Sequence, residues 1–488
     1  MLYQKVIQYL AYAALAIPAL PPALFPFFQP YTFGKTTLFA IIVEAMVIVW
    51  LIGCYRPFTT SDVVNNRQSV WRAMLALTLV LSASTMLSAD VSASFLGSSA
   101  RMDGLFTLLH FFAFFIILVS SFDERVWRRG VQVSIVAGTF AALYAIAQWF
   151  GAPFIVTSGG EIFGTLGNPS YLALYLLFTI FLAHYLAEKE ERREVVILLY
   201  CAVAIQVIAL LLTQVQAAFL ALAAGAVIAA YPYVRARITL FRSIVALTSV
   251  GALFLLFSFS ANFAKLASLS EGSASLSNRM AVWSIALSGI AERPLLGHGA
   301  NNFEPYYLAQ KNKNTVAVPT TGETFDKPHN AYLEVAFSYG IIGLVAYLFL
   351  LWVVVRRAWR TPALAGALVG YLVFLFFFFD TFASLLMFFF VAAYLFSLSS
   401  SKENNAVALE KTVSPTVLVV GGLALTAIFF TFHFKPLYSA YFARQFLVHA
   451  SAISAIDEPA KAKALHYTTF NTPFIERAIL LAERTIKK

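Results

Sequence analysis

The sequence predicts an all-α polytopic membrane protein with about 12–13 transmembrane helices. Three observations predict this. Hydrophobic residues make up 60% and charged residues 12% of the 488 positions, and the mean hydropathy is +0.77, well outside the range of soluble domains. Apolar stretches of about 18 residues recur along the chain, each long enough to cross the hydrocarbon core as a helix. Lys and Arg gather in alternate connections, the bias that orients membrane helices.

Thirteen stretches qualify, near 6–29, 37–54, 73–89, 104–121, 131–150, 169–187, 195–213, 217–234, 243–260, 331–355, 363–379, 382–399 and 415–433. The first is interrupted by Pro18, Pro21, Pro22 and Pro26, which lack the amide a helix interior needs. It reads as a retained span, because it has neither the compact apolar core nor the small-residue site of a cleaved signal. The pair 363–379 and 382–399 is divided only by Asp380-Thr381. With the N-terminus in the cytoplasm, 18 of the 34 Lys and Arg fall in cytoplasmic segments, and the short outer loops hold only Lys35 and Arg101. This layout places the long loop at 261–330 and the C-terminus outside.

The net charge of +10 therefore follows topology. The basic residues are scattered over inner loops rather than gathered on one face, so the charge does not point to nucleic acid. The two cysteines, Cys54 and Cys201, have no partner at ligand spacing, and neither a disulfide nor a metal site is expected.

Residues 1–433 read as one membrane domain, with a polar cytoplasmic linker at 402–413 before the last span. Residues 434–488 read as an extracytoplasmic helical tail. Tyr438, Tyr441, Phe442, Phe446 and Ala450 recur at helical spacing. Asp457 and Pro459 can start a second helix, and Asn471-Thr472-Pro473 ends it before a third. The pattern fits a helical hairpin lying on the membrane or on the long loop. It also fits a tetratricopeptide-like fragment, too short to define a repeat fold.

The stretch 261–330 is the one long polar segment inside the apolar chain, and its tryptophan, paired glycines and helix-period apolar residues argue against disorder. A helix is predicted over 279–290, with Met280, Trp283, Leu287 and Ile290 on one face and Ser277 or Asn278 as N-cap. That start would put Arg279 in the first turn, where free amides favour an anion. Gly297 to Phe303 reads as a turn, and His329-Asn330 lie at the outer start of the next span.

Ionisable groups at membrane depth are functional candidates. Here they are Glu44, His110, Glu334 and Asp380. One reading pairs them with each other or with helix ends. The other gathers them around a polar cavity open to the outside and roofed by the long loop. Arg279 taken alone is a solvated loop charge, and His329 beside Asn330 is a helix cap. Taken together they combine a planar fork for phosphate oxygens with an imidazole able to take a proton near neutral pH. A phosphate-anchored lipid donor and a hydroxyl acceptor need both.

The residues that carry this chemistry also carry a resemblance. Arg279…Trp283…Pro294-Leu295-Leu296-Gly297-x-Gly299…Phe303 is followed by His329-Asn330-x-Tyr332-Leu333-Glu334 and by Gly340-Ile341-Ile342-Gly343. Arg101-Met102-Asp103-Gly104 and Gly167-Asn168-Pro169 precede them. In order and spacing this set resembles the superfamily of O-antigen ligases and polymerases, which includes bacterial protein O-oligosaccharyltransferases. The resemblance implies a GT-C-like membrane glycosyltransferase of the bacterial cytoplasmic membrane, acting on the outer side. It implies an undecaprenyl-diphosphate-linked glycan as donor and a lipid A core, another glycan or a protein hydroxyl as acceptor. Transfer would be inverting and metal-independent, with no cofactor. Arg279 and His329 match the family's arginine and histidine. Arg101, Arg293, Asn330 and Glu334 are expected around the substrates. One departure stands out: where the family often has an arginine in the hairpin before the eighth span, this chain has Gln216, in Thr213-Gln214-Val215-Gln216-Ala217. Glutamine can hydrogen-bond a phosphate but cannot neutralise it. Arg101 or Arg293 substitutes, the donor differs, or activity is reduced.

Two other functions compete. A transporter or lipid-glycan flippase accords with the many spans and buried acids, but the chain lacks the duplicated halves that transporters frequently show, and the large outer loop is superfluous for transport. A non-catalytic scaffold of a glycan assembly complex accords with Gln216 and with a docking tail. The helical tail tilts the acceptor towards a polymerase or protein-directed reaction.

Overall fold

The computed structural model describes residues 2–445 except 28, 54–67, 99, 153–154, 157–159, 238–268, 313–323, 399–420, 422–426, 439 and 443. The predicted span at 243–260, the linker at 402–413, the first part of the span at 415–433 apart from residue 421, and the tail beyond 445 lie outside the described residues.

All described elements are helical. They are α1 (Leu2–Ala16), α2 (Lys35–Gly53), α3 (Gln68–Met86), α4 (Val91–Leu96), α5 (Leu105–Ser121), α6 (Glu124–Trp149), α7 (Pro169–Ala187), α8 (Arg193–Leu212) and α9 (Gln216–Arg237). Then follow α10 (Leu269–Glu292), α11 (Phe303–Asn312), α12 (Ala331–Ala358), α13 (Pro362–Leu375) and α14 (Phe382–Ser397). Among the described residues six helical segments are long and apolar enough to cross a membrane: Pro30–Gly53, Ser69–Met86, Glu124–Trp149, Pro169–Ala187, Arg193–Leu212 and Ala331–Ala358. Four apolar helices are shorter. The protein is an all-α polytopic membrane protein, as its hydropathy predicts. Its first apolar stretch stops at Ala16, where Pro18 and Pro22 divert the chain into 3₁₀ turns.

The helices pack by the means available where lipid is as apolar as leucine, namely small residues and interhelical hydrogen bonds. A Cβ on either Gly225 of α9 or Gly366 of α13 would run into the other's carbonyl oxygen, so the two backbones cross in direct contact. Buried Gln206 of α8 accepts from Thr179 Oγ1 of α7 at 2.7 Å and donates to Thr139 Oγ1 of α6 at 3.0 Å, joining three helices. α7 is buried along nearly its whole length.

The feature that places the functional region is a break in α12. Gly340 leaves helical geometry, with φ 68° and ψ −173°. In an unbroken helix the amides of Ile341 and Ile342 would bond the carbonyls of Phe337 and Ser338. Here the loop after α10 satisfies all four groups. His298 N donates to Phe337 O at 2.9 Å and Gly299 N to Ser338 O at 2.8 Å. Ile341 N donates to Pro294 O at 2.8 Å and Ile342 N to Leu295 O at 3.4 Å. The Pro294–Gly299 turn is thus stitched into the membrane helix, and the His298 ring stacks on Phe337 at 4.5 Å.

Helix α10 corrects the predicted start and face. It begins at Leu269, because the Ser-Ala-Ser-Leu-Ser run contains no strong breaker. Ser277 and Asn278 therefore do not cap it, and Arg279 lies in its interior rather than at its positive end. The buried face is Val282, Ile285 and Ala286, with Gly289 against Phe337, while Met280 and Leu287 are exposed. Small side chains admit the Phe337 ring, and the longer apolar ones turn outward. Substituting Gly340 by Ala should lower the thermal midpoint in detergent, since the φ disfavours a Cβ and the Leu295 carbonyl occupies its place. A cost of about 1–3 kcal/mol is expected, against no change for Val345→Ala on the exposed side of the same helix.

Candidate functional site

The site forms where four segments at one end of the helices meet: the loop 97–104, the stretch 324–330, the α13–α14 turn and the first turn of α7. Loop 97–104 is pinched at its base, where Gly97 and Gly104 touch backbone to backbone. At its tip Met102 takes φ 52°. This turns Arg101 and Asp103 towards the stretch that leads into α12.

Arg101 is the most heavily bonded cation there. Its Nε and Nη2 donate to Asp326 at 2.6 and 3.0 Å, a two-point fork. Its Nη1 donates to the Tyr171 hydroxyl, and its guanidinium lies 4.7 Å over the Phe379 ring. Burial pulls its pKa down, but Tyr171 and Asp326 outweigh burial and raise it. Asp326 shows the converse. Burial pushes its carboxyl up, and the bond from Arg101 holds it below its ordinary value.

Lys327 is 7% exposed and pairs with both Asp103 and Glu334. Burial lowers its pKa, and the two carboxylates more than reverse this. Its ammonium also lies 5.1 Å over the Phe379 ring. Asp103 Oδ1 is buried with no partner among the described residues.

His329 follows directly, with φ 54°, a strained value of the kind that clusters at functional sites. Its Nδ1 lies 3.1 Å from the Lys327 carbonyl oxygen. A carbonyl can only accept, so Nδ1 carries the proton and Nε2 keeps its lone pair. Phe325, Phe378 and Phe379 wall the ring edge-on at 5.7, 5.7 and 5.4 Å. Burial, with the charges of Arg101 and Arg279 assisting, lowers its pKa against the opposing pull of the Lys327 carbonyl and Asp326.

Arg279 comes to the site on α10. One turn further on, Trp283 donates from Nε1 to Pro328 O at 2.9 Å and packs edge-on against Phe376, which fixes α10 beside His329. Arg279 is half-buried, and burial lowers its pKa. Among the described residues it has no hydrogen-bond or ion-pair partner. A desolvated, unpaired guanidinium near a neutral imidazole is an arrangement that favours an anion.

Beneath this cluster lies a cavity of about 120 Å³. Arg101, Asp103, Lys327 and Glu334 line it together with Leu77, Leu81, Phe111 and Phe389, so one chamber offers polar and apolar walls. Asp380 lines it as well and accepts from Tyr371 at 2.7 Å, Ser384 at 3.0 Å and Tyr347 at 3.2 Å.

Residues 201–348 match the family model described as O-antigen ligase. That stretch of the chain is similar to the O-antigen ligase family. Its curated relatives include the ComP-specific O-oligosaccharyltransferase of Acinetobacter baylyi, 25% identical over 266 residues, which are 52% of this chain and 44% of that protein. An uncharacterized protein of Haemophilus influenzae is 31% identical over 77 residues, 16% of this chain and 19% of its own length. The chain therefore matches less than half the length of either relative.

The matched stretch contains Gln216, Arg279, Arg293, His329, Asn330 and Glu334, whereas Arg101, Tyr171 and Phe379 lie outside it. The structure brings Arg101, Arg279, His329 and Glu334 together. Asn330 stands beside them as the N-cap of α12, accepting from Tyr332 N at 3.0 Å and Leu333 N at 3.1 Å. Arg293 points elsewhere, 3.5 Å from the Leu87 carbonyl oxygen, and among the described residues it bonds to none of the cluster. Gln216 is exposed at the start of α9 and likewise bonds to none of the described residues of the cluster. Asp326, Lys327, Tyr171 and Phe379 were not singled out from the sequence. The one signal for Asp326 and Lys327 in the sequence is their nearness to His329.

His329 should titrate below the ordinary histidine value of about 6.5, so its ring stays neutral at pH 7 and charges only on acidification. A histidine ring NMR titration in detergent, with His329→Gln assigning the resonance, checks this. An inflection at or above 6.5 would contradict the burial argument. Lys327→Met should destabilise the N-terminal end of α12 by about 3–5 kcal/mol, because it leaves Asp103 and Glu334 buried without their cation. Thermal unfolding in detergent reads this, and adding Glu334→Gln should recover part of the loss.

Proposed function

We propose that this protein is an O-antigen ligase-type glycosyltransferase. It transfers a glycan from an undecaprenyl-diphosphate carrier to an acceptor hydroxyl at the outer face of the bacterial cytoplasmic membrane. The observation that carries this reading is the pairing of a half-buried Arg279, unpartnered among the described residues, with a neutral His329 whose Nε2 accepts from none of them. The ligase match over 201–348 supports the same class.

In this reading Arg279 receives the donor diphosphate, assisted by Arg101. The acceptor hydroxyl oxygen bonds to the anomeric carbon of the glycan as the bond from that carbon to the diphosphate oxygen breaks. The electron pair leaves with undecaprenyl diphosphate, and the hydroxyl proton passes to His329 Nε2. Charge builds on the departing diphosphate, so fixed cations serve it more than a proton does. Displacement from the face opposite the leaving group inverts the anomeric centre. Asp103 Oδ1, buried and unpartnered, offers an acceptor for a sugar or acceptor hydroxyl. Three roles therefore belong to this chain's own groups: anion binding, proton acceptance and hydroxyl orientation.

Arg101 enters the reaction with its fork occupied by Asp326, so a diphosphate must compete with that carboxylate. Removing the competing charge should tighten donor binding. Asp326→Asn is expected to lower the donor KM several-fold, measured at saturating acceptor. A raised KM would instead make Asp326 a group that aims Arg101.

The deciding experiment is transfer in vitro. Purified protein is mixed with undecaprenyl-diphosphate-glycan and, separately, with lipid A core, free glycan and protein acceptors. Wild type should transfer and the labelled product should identify the acceptor. Arg279→Ala should lose transfer by about 100-fold or more, while membrane insertion is unchanged. His329→Ala should lose it comparably. Transfer at the wild-type rate by Arg279→Ala would refute the assignment.

A further inference from the structure

The reading above leaves unused a second buried polar group. Glu44, inside α2, holds two histidines on one oxygen. His110 Nε2 of α5 lies 3.2 Å from Glu44 Oε1, and His433 Nε2 lies 2.8 Å from the same atom. His110 is fixed further by its Nδ1, 2.8 Å from the Phe106 carbonyl oxygen. His433 belongs to the π-helical turn Phe429–Phe434, far along the chain, and is 1% exposed. Rings close the gap around it, with Phe106 at 5.2 Å from Phe432 and 6.0 Å from His433.

From this anchor the chain runs on to Leu437 and Ala440. Ala440 is 1% exposed, buried against Met102 and Phe33. Met102 is the left-handed residue at the tip of loop 97–104, between Arg101 and Asp103. The segment around 429–442 therefore packs at the tip of the loop, at the residue that also lines the cavity. A residue at φ 52° persists only where its surroundings hold it, and here the C-terminal segment is part of the surrounding.

We infer that the C-terminal segment is a brace for the Arg101–Asp103 loop, fastened by the His433–Glu44 bond, and that His433 is a positioning residue for donor binding. This rests on the reading of Arg101 as a donor-binding group. The fastening is energetically credible, because a hydrogen bond to a carboxylate is strong where water is scarce and a lone buried carboxylate is costly. Two bonds from His110 and His433 join α2 and α5 to a segment outside the ligase match, which ends at residue 348.

The test uses the full chain, with Cys54→Ser and Cys201→Ser removing the native thiols and Met102→Cys with Ala440→Cys reporting the contact. With His433 present, mild oxidation should cross-link the pair. In His433→Ala the cross-linking yield should fall several-fold and the donor KM should rise about tenfold, with a smaller change in kcat and none in acceptor KM. His433→Gln, whose amide N–H can reach Glu44, should keep both. Oxidising the cysteine pair in His433→Ala should return the donor KM to the wild-type range, a rescue that a general loss of folding would not show. Unchanged cross-linking and donor KM in His433→Ala, or a cross-linked His433→Ala protein whose KM stays high, overturns the brace. If Arg101→Ala leaves transfer unchanged, the reading of the site fails instead, and cross-linking yield still decides whether His433 holds the segment.

Discussion

One step of backbone out of helical geometry, at Gly340, sets the relation between the membrane and extramembrane parts. A broken helix at membrane depth is tolerated only where its freed amides and carbonyls find partners. Here the Pro294–Gly299 turn provides them, so the break and the turn require each other. Helix α10 enters that turn, which fixes its far end. The Trp283 bond to Pro328 fixes its middle, and Arg279 is carried to His329 as a result. The ring that fills the junction, Phe337, is admitted because Ala286 and Gly289 are small. Site geometry therefore descends from a packing choice several turns away.

Charge in the cluster is nearly self-cancelling. Arg101 and Lys327 face Asp103, Asp326 and Glu334, and the balance is completed by Arg279, which has no carboxylate of its own among the described residues. Buried ion pairs are expensive to assemble and to break, so such a network holds the loop and the entry to α12 rigidly. Its one unpaired cation then has a defined place. Preorganised charge of this kind stabilises a developing anion without reorganisation at the moment of reaction.

The fold was legible in the sequence because hydropathy and proline act locally. Helices 35–53, 169–187 and 331–358 fall within a few residues of their apolar stretches, and the prolines after Ala16 stop α1 as their chemistry requires. Arg279, His329 and Glu334 were legible as candidates because their residue types stand out near an apolar helix start, and Arg101 because Arg101-Met102-Asp103-Gly104 forms part of the family resemblance. The pairing of Arg101 with Asp326, and of Lys327 with Asp103, was not legible. These partners lie more than 200 residues apart, and nothing in local patterning distinguishes a buried salt bridge from loop charges. The face of α10 was misread for a related reason. Apolar residues occupy more than one stripe, and the choice between stripes was made by the shape of Phe337, a residue on another helix. Glu44 with His110 conformed to the simpler reading of mutual pairing, but the third member, His433, could not be seen from either.

The three phenylalanines around His329 make the imidazole a one-sided tool. Nδ1 is committed to the Lys327 carbonyl and three phenyl rings stand edge-on to the imidazole, so an acceptor serving the proposed reaction would have to come to Nε2 past those rings. A nucleophile doing so would pass the rings as through an aperture, with its oxygen ahead of whatever chain it belongs to. Slender, unhindered hydroxyls on flexible stems pass such an aperture more readily than hydroxyls crowded on a rigid ring. Acceptor choice would then be a matter of the width of an opening as much as of matched bonding groups, and the phenyl rings, none of which can hydrogen-bond the acceptor, would govern it.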